Sequence, residues 1–573
     1  MRRGGWLGGC RCAWRVSGGT VFRFVALLLS LGTTLAALPL AAQTASQVPF
    51  QITIDQNAIM RQYAPPLTRP KSLGGTVSAP IAGIPPERLG EIRFRLTSIE
   101  IEGAVTLNPS LFMPLWQGLV GKEITLLDIK TVLEGIENAY RQHDYRASAI
   151  MPPQDFAAGH VKIVIYEYYI KQLIIKGDTK RLRGRLDPFL DRITGMRPLR
   201  ASQAYRHLLL AEDQAGISIY GEVIRIEDEP GAIRLELTIT FNPGNLTLGL
   251  DDYGGKNVGP LQGRANAHVN DMFGLFESTD ILVVTNPAAP DQFTFVNWAQ
   301  LFPLGTTGFS FNTFIGQSWS TPGGLSRQVN LHSEVLTLGV GLNYALLRAQ
   351  ERNVILNAGI FGNNTSIDVL QQAVARNNAR WLAFGATYDD ELLGVKFILN
   401  PAYRKGVDAF GSNLVNADFA ALTLNGVLST SFTDSLSAKV LFSGQLALTT
   451  LPAAVVPSYG GLGFGRAYDP GAIAGNSAIM LAGELAQAIE THIPWLQDLS
   501  LFAYGDYGAV WNPPGIAYPY ASLASAGLGL RVGITERLAA SALVAQPLWY
   551  GPELAVFGVE QQTRYRFTIA LRL

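Results

Sequence analysis

The stretch Gly460 to Gly475, GGLGFGRAYDPGAIAG, carries a single arginine, Arg466, among glycines and small apolar residues, and segments that alternate like β-strands flank it on both sides. A guanidinium does not deprotonate and presents a planar fork of donors, so the chemistry on offer is anchoring: beside a carboxylate it makes a directional, charge-assisted pair. Two arrangements suit the stretch. In an exposed loop the glycines supply turns with positive φ. In a loop folded back into a barrel they allow close backbone packing, and Arg466 then needs a carboxylate on the wall. The centre of this long connection, residues 450–478, is neither charged nor rich in Ser and Thr, which favours the inward arrangement. Asp506 is the expected partner, because it lies on a neighbouring alternating segment with Phe502, Tyr504 and Gly508 on its own face. Asp469 stands too close along the loop to tie it to the wall.

Catalytic chemistry is thinly supplied. The six histidines are scattered without metal-ligand spacing, and there is neither a Gly-x-Ser-x-Gly elbow nor a phosphate loop ending in Lys-Ser/Thr. Gly461-x-Gly463 and Gly339-x-Gly341 are better explained as barrel glycines. Residues 1–42 hold five arginines, the apolar run Phe24 to Leu40 and then Ala41-Ala42, the layout of a secretory signal peptide cut near Ala42. Both cysteines, Cys10 and Cys12, leave with it, so no disulfide, thiolate metal site or cysteine nucleophile is expected. Its removal also leaves 40 basic against 45 acidic residues, a formal charge of −5, which does not indicate a nucleic-acid partner. The chain is expected to be no enzyme and to need no cofactor or metal.

An inward loop requires a barrel to fold into. The chain has 59 glycines, 27 phenylalanines and 20 tyrosines with only 16% charged residues, a composition suited to β-structure. Beyond the signal no apolar run reaches the length of a spanning helix, so a membrane protein with this sequence must be a closed barrel. About sixteen alternating segments follow one another from 246–253 to 564–573, among them 352–363, 380–389, 436–449, 479–490 and 499–509. Their connections settle into an alternation of short turns and long loops, as in an up-and-down antiparallel barrel with periplasmic turns and extracellular loops. An even strand number puts both barrel ends in the periplasm. In the last segment Tyr565, Phe567, Ile569, Leu571 and Leu573 form the stripe expected to face lipid, and Arg566, Thr568, Ala570 and Arg572 the lumen.

Ahead of the barrel, residues 43–93 form a Pro-rich linker with one helical candidate, Ile54 to Tyr63, expected to plug the barrel because an open lumen would leak and the linker is long enough to thread it. Two α+β modules follow, 94–168 and 169–242. In the first, Ile99 and Ile101 alternate up to Gly103, Thr125 and Asp128 open an amphipathic helix as a capping box, and Val161 to Ile165 closes the unit. The second repeats the order: Leu173 to Ile175 up to Gly177, a helix from about Ser202 to Gln214, then a strand through Ile233 to Phe241.

These modules resemble POTRA domains, in this order and in phrases such as Ala149-Ile-Met-Pro152 and Gly159-His-Val-Lys-Ile163. Arg466-Ala467-Tyr468 with Asp469-Pro470-Gly471 resembles the Arg-Gly-Tyr loop motif of two-partner secretion transporters, a branch of the outer-membrane assembly-factor superfamily; Ala467 replaces the glycine. Phe442-Ser-Gly444-Gln445 and Phe502-Ala-Tyr-Gly-Asp506-Tyr-Gly508 resemble the accompanying barrel motifs. The resemblance covers residues 94 to 573. It implies an outer-membrane channel that exports a partner exoprotein of haemolysin or filamentous adhesin type, unfolded and without ATP, recognised through its N-terminal secretion domain. It implies Arg466, Tyr468 and Asp506 as the loop-to-wall anchor, and contact with lipid and with the barrel-insertion machinery. Cargo is expected to add a strand to an edge of the second module, near Ile174 and Leu237. An assembly factor that inserts other barrels is the alternative; a diffusion porin is disfavoured by the modules.

Overall fold

The computed structural model describes residues 56–64, 67–69, 71, 74–78 and 90–573, the last apart from 178–181, 183, 227, 494, 516–517, 552–553 and 555–558. The expected signal peptide lies outside the described residues, as does much of the linker.

In the first module, Ser98–Glu102 pairs in parallel with His160–Glu167, which pairs antiparallel with Ala147–Ile150. The helix Leu126–Gln142 starts on the expected box: Asp128 accepts hydrogen bonds of 2.8 Å from both the N–H and the hydroxyl of Thr125. It buries Ile129, Val132, Ile136 and Tyr140 against Val161, Ile163 and Ile165. The second module has strands Tyr169–Gly177, Ile217–Arg225 and Ala232–Phe241, with Ala232–Phe241 in the middle of these three. Its helix Ala201–Glu212 is preceded by another, Asp187–Thr194, that the sequence did not announce. Gly103 and Gly177 play the same part in both units. Each has positive φ, and a Cβ there would lie 2.2 Å from the carbonyl oxygen of Ile165 or Ile239, so the strand can end at that point only with glycine.

This arrangement corrects one expectation. Leu237 is on the central strand, paired on both sides and fully buried, and so it is no edge residue. Ile174 is on Tyr169–Gly177, which pairs on one side only among the described residues.

Sixteen strands close the barrel in simple sequential order, from Gly244–Asp251 to Arg564–Arg572, and these two pair through Thr247↔Arg572 to Asp251↔Thr568. The alternation of the last strand holds: Tyr565, Ile569 and Leu573 are exposed on the outside, while Arg566 is buried in the lumen. No described helix is long and apolar enough to cross a membrane. The seventh and eighth strands, Asn353–Val369 and Gln372–Leu392, run much further than expected and join at Leu370 and Gln371, both with positive φ. A loop was expected there because the extension, QQAVARNNAR, lacks an apolar stripe. Strand that projects beyond lipid needs none.

The second module is fixed to the barrel. Arg185 makes two hydrogen bonds, of 2.8 and 2.7 Å, to Asp271 in the turn after the second strand, and Arg348 makes two of 2.8 Å to Asp213. Phe276 from the same turn enters the module's own core. Two bidentate Arg–Asp pairs with an apolar insertion set the orientation of the module as well as its attachment.

Candidate functional site

The connection between the eleventh strand, Leu436–Ala447, and the twelfth, Ser477–Ala488, folds back as a hairpin inside the barrel. Ser458–Tyr459 pairs with Ile473–Ala474, and the tip between them carries Arg466. Within the tip, Gly460 N–H donates to the carbonyl of Phe464 at 2.9 Å and Tyr468 N–H to that of Gly465 at 2.8 Å. Tyr459, Ala467 and Tyr468 are buried to 1% exposure or less.

Two carboxylates hold the tip, by different atoms. Asp506, on the thirteenth strand, Asp498–Trp511, faces the lumen with Phe502, Tyr504 and Gly508; all four are buried, and Phe502, Tyr504 and Asp506 are at most 5% exposed. Its Oδ2 accepts the main-chain N–H groups of Gly465 at 3.1 Å and Arg466 at 3.0 Å, and the hydroxyl of Ser525 at 3.3 Å. The guanidinium of Arg466 goes elsewhere. It donates to Glu484 on the twelfth strand at 3.1 Å and lies over the ring of Tyr504, 4.4 Å from its centroid. The expected Arg466–Asp506 side-chain pair is therefore replaced: Asp506 binds the backbone of the turn, and Glu484 neutralises the charge. The reason is geometric, since the two N–H groups of a tight turn converge on one oxygen and leave the guanidinium free to extend along the wall. Glu484 is shared with Arg531, whose nitrogens lie 2.6 and 2.8 Å from its two oxygens.

A second correction concerns Asp469. It does reach the wall, where Arg564 of the last strand hydrogen-bonds to it. The neighbouring Arg566, 5% exposed, donates to the carbonyls of Arg466 at 3.3 Å and Tyr468 at 3.5 Å. The hydroxyl of Tyr468 donates towards the carbonyls of Ala524 at 3.1 Å and Trp549 at 2.9 Å, so its ring spans the fourteenth and fifteenth strands. The loop is thus held by four strands beyond its own two.

The barrel-motif residues divide. Gln445 faces inward and donates to the carbonyls of Val455 at 3.0 Å and Asn476 at 3.2 Å, gathering both ends of the hairpin. Gly508 makes room for Tyr459: a Cβ there would come within 2.1 Å of that ring. Phe442 and Gly444 sit on the outer face, where the Phe442 ring covers Gly426 and a Cβ at Gly444 would meet nothing closer than 3.8 Å. Sequence reasoning missed Glu484, Arg531, Arg564 and Tyr459. The first two could have been found as charges at lumen-facing positions of strands that must cross lipid, where a charge implies a partner.

The lumen holds one more element. Residues 56–62 are helical inside the barrel, with Ile59, Met60 and Tyr63 packed on Leu282, Val284, Phe293, Phe295 and Val335. Tyr63 donates to Asp251 at 3.0 Å, Gln56 accepts from Ser333 at 2.8 Å, and Arg61 donates to Val456 of the inward loop at 3.0 Å. Loop and helix therefore touch. Among the described residues no cluster of His, Cys, Asp and Glu could hold a metal ion. Asp506 Oδ1 and the hydroxyls of Tyr459 and Tyr504 are buried without a hydrogen-bond partner among the described residues, while the other contacts named here tie the loop and the helix to the wall.

Comparison with known proteins fits this geometry. Residues 232–532 match the family described as haemolysin secretion/activation protein ShlB/FhaC/HecB, and residues 94–167 match the ShlB-type POTRA domain. No curated protein matches the chain. Among solved structures, CdiB from Escherichia coli is similar over 93% of this chain and all of its own, with 17% identity and a TM-score of 0.71. CdiB from Acinetobacter baumannii is similar over 97% of this chain and 98% of its own, with 14% identity and a TM-score of 0.62. At these identities the two structures establish the fold, and the family match, which spans more than half of the sequence, establishes kinship. The chain belongs to the ShlB/FhaC/HecB family of haemolysin secretion/activation proteins and is an outer-membrane secretion transporter of the two-partner type, with its POTRA modules in the periplasm.

Proposed function

We propose that this transporter exports a partner exoprotein of the haemolysin or filamentous adhesin kind, unfolded and without nucleotide hydrolysis, after the periplasmic modules have recognised its N-terminal secretion domain. The observation that carries this reading is a barrel filled by its own loop and its own helix, with the second module fastened at its mouth. A diffusion pore has no use for an obstruction held by so many specific contacts, whereas a channel that must seal between passengers does. The periplasm offers no ATP, so net movement would come from folding of the cargo outside the cell.

Arg466, Tyr468 and Asp506 act in this reading as the anchor that keeps the loop inside the barrel, with Glu484 as counter-ion. The strand bearing Ile174 is a candidate cargo contact, testable by crosslinking to a secretion-domain fragment, and labels confined to the barrel would remove it. Lipid contacts the outer stripe, and the barrel-assembly machinery inserts the protein.

Expression of the chain with a candidate exoprotein that carries an N-terminal secretion domain, in cells lacking any related transporter, provides the test. Export predicts exoprotein in the medium only when the transporter is present. Exoprotein outside without it, or a loss of unrelated outer-membrane barrels when it is deleted, would move the chain to the assembly-factor reading.

A further inference from the structure

Most arginines that line the lumen meet a carboxylate. Arg69 pairs with Asp389, Arg466 and Arg531 share Glu484, Arg564 reaches Asp469, and Arg566 reaches Asp252. Arg264 has Asp251 on the same face of the adjacent strand, two positions beyond its register partner Gly249. Arg404 and Arg61 are different. Arg404, on the ninth strand, Val395–Gly406, makes no hydrogen bond or ion pair among the described residues. Arg61, on the lumen helix, donates only to neutral groups, the carbonyl of Val456 at 3.0 Å and the hydroxyl of Ser458 at 3.2 Å.

The two belong to one neighbourhood. Val456, which Arg61 holds, packs with Ala421 of the tenth strand, Ala420–Ser431, and Ala421 is the register partner of Arg404. The charge that Arg61 feels is a like one, that of Arg404. Around Arg404 the wall is small and neutral: Ala383 is its partner on the eighth strand, and Gly385, Ala402 and Thr423 form the next row. Arg61 is open to the lumen and Arg404 is half-buried, so water and small solutes reach both.

Two guanidiniums in a cavity walled by protein and lipid focus a positive potential and concentrate counter-ions between them. Each presents a planar fork that fits two oxygens of an oxyanion. Arg404 keeps every N–H for such a ligand, and Arg61 keeps those beyond its two hydrogen bonds. The Ser458 hydroxyl, which accepts from Arg61, has its own proton to donate. We propose that Arg404 and Arg61 form a site for a free oxyanion of the phosphate class, and that the bound ion ties the lumen helix to the barrel wall. Without the ion the two charges push the helix off the wall; with it they are bridged. Lipid headgroups do not compete, because both residues face the inside of a closed barrel. The proposal rests on the reading of the helix as an obstruction and names a ligand that sets how firmly the obstruction sits.

The test is single-channel recording of the full chain in planar bilayers, in potassium chloride at constant ionic strength, with and without inorganic phosphate. Without phosphate the wild type is expected to open several-fold more often than Arg404→Gln, which lacks the repelling charge. Phosphate is expected to bring the wild type down to the frequency of the variant and to leave the variant unchanged. Arg404→Lys keeps the charge without the fork, so it should open as often as the wild type and need several-fold more phosphate to close. Equal opening of wild type and Arg404→Gln without phosphate, or a phosphate effect of equal size in both, would overturn the proposal. Should Arg404→Gln fail to insert, Arg404→Lys decides, since a phosphate response identical to that of the wild type contradicts the site. Deletion of residues 43–90 separates the site from the reading beneath it. If that deletion leaves conductance unchanged, the obstruction reading fails, and thermal unfolding in detergent then judges the site. There phosphate should raise the midpoint of the wild type and not that of Arg404→Gln, and equal shifts refute it.

Discussion

Asp506 and Glu484 look interchangeable as lumen carboxylates, but they bind different parts of the same residue, and this difference is measurable. Arg466→Ala keeps the main-chain N–H that Asp506 accepts and removes the guanidinium that Glu484 accepts. In thermal unfolding in detergent, Arg466→Ala and Glu484→Ala should be non-additive by about 1.5 to 3 kcal/mol, the range for hydrogen bonds to charged groups. Arg466→Ala and Asp506→Ala should be closer to additive. The reverse ordering would restore the side-chain pair suggested by sequence. The two glycines of the barrel motifs form a second contrast. Gly508→Ala places a methyl against the Tyr459 ring and should cost about 1 to 3 kcal/mol as overpacking, whereas Gly444→Ala, whose methyl would meet only ordinary contacts of 3.8 Å and beyond, should be silent. Equal effects would mean that Gly508 is not needed for close approach. The inward face of Asp506 was legible from alternation alone. Which donor it would meet was not, because the path of a guanidinium depends on the three-dimensional turn that presents it.

At the scale of elements, local signals served well wherever local physics decides. The capping box at Thr125 and Asp128 was readable because it is a matter of spacing along one segment. Asp128→Ala should lower the stability of the first module by about 1 kcal/mol, seen as faster hydrogen exchange along Leu126–Gln142. The hydrogen bonds from Thr125 hold the Asp128 carboxyl below its ordinary value, so the folded state binds that proton more weakly than the unfolded chain. The contribution is therefore complete above about pH 4, the ordinary value for aspartate, and is lost as pH falls through the lower folded value. Exchange along this helix that is unaffected by the substitution would remove the box as its determinant. Other elements were hidden for physical reasons. Leu237 alternates as cleanly as an edge residue would, since alternation reports which face is buried and says nothing about a strand's position within its sheet. The extended hairpin Asn353–Leu392 lost its apolar stripe where it leaves the lipid, and with it the signal that sequence reasoning relies on.

At the scale of the whole molecule, the barrel was legible because strand count, loop alternation and the lipid stripe are independent consequences of one architecture. The contents of the lumen were only half legible. The helix and the glycine-rich loop each stood out as segments needing a place, yet their contact with one another through Arg61 and Val456 follows from closure of the barrel around both. Removing residues 43–90 takes away, together with the helix, the strand Gly74–Ser78 that pairs with Ile217–Arg225 of the second module. Single-channel conductance should rise, and unchanged conductance would show that these residues do not obstruct the pore. The deeper obstruction is the inward loop, held by Asp506, Glu484, Arg564, Arg566 and Gln445.

On the export reading, the anchored loop is part of the transport machinery and not a filler of the barrel. Arg466→Ala leaves Glu484 paired with Arg531, so the loss is that of one hydrogen bond between charged groups, about 1.5 to 3 kcal/mol, which the sixteen-strand hydrogen-bonded wall can absorb without unfolding. The most direct measurement is export of the partner exoprotein by Arg466→Ala, at matched amounts of inserted barrel. The prediction is that the barrel inserts normally and most of the export is lost; export at the wild-type rate by a correctly inserted Arg466→Ala barrel would contradict it.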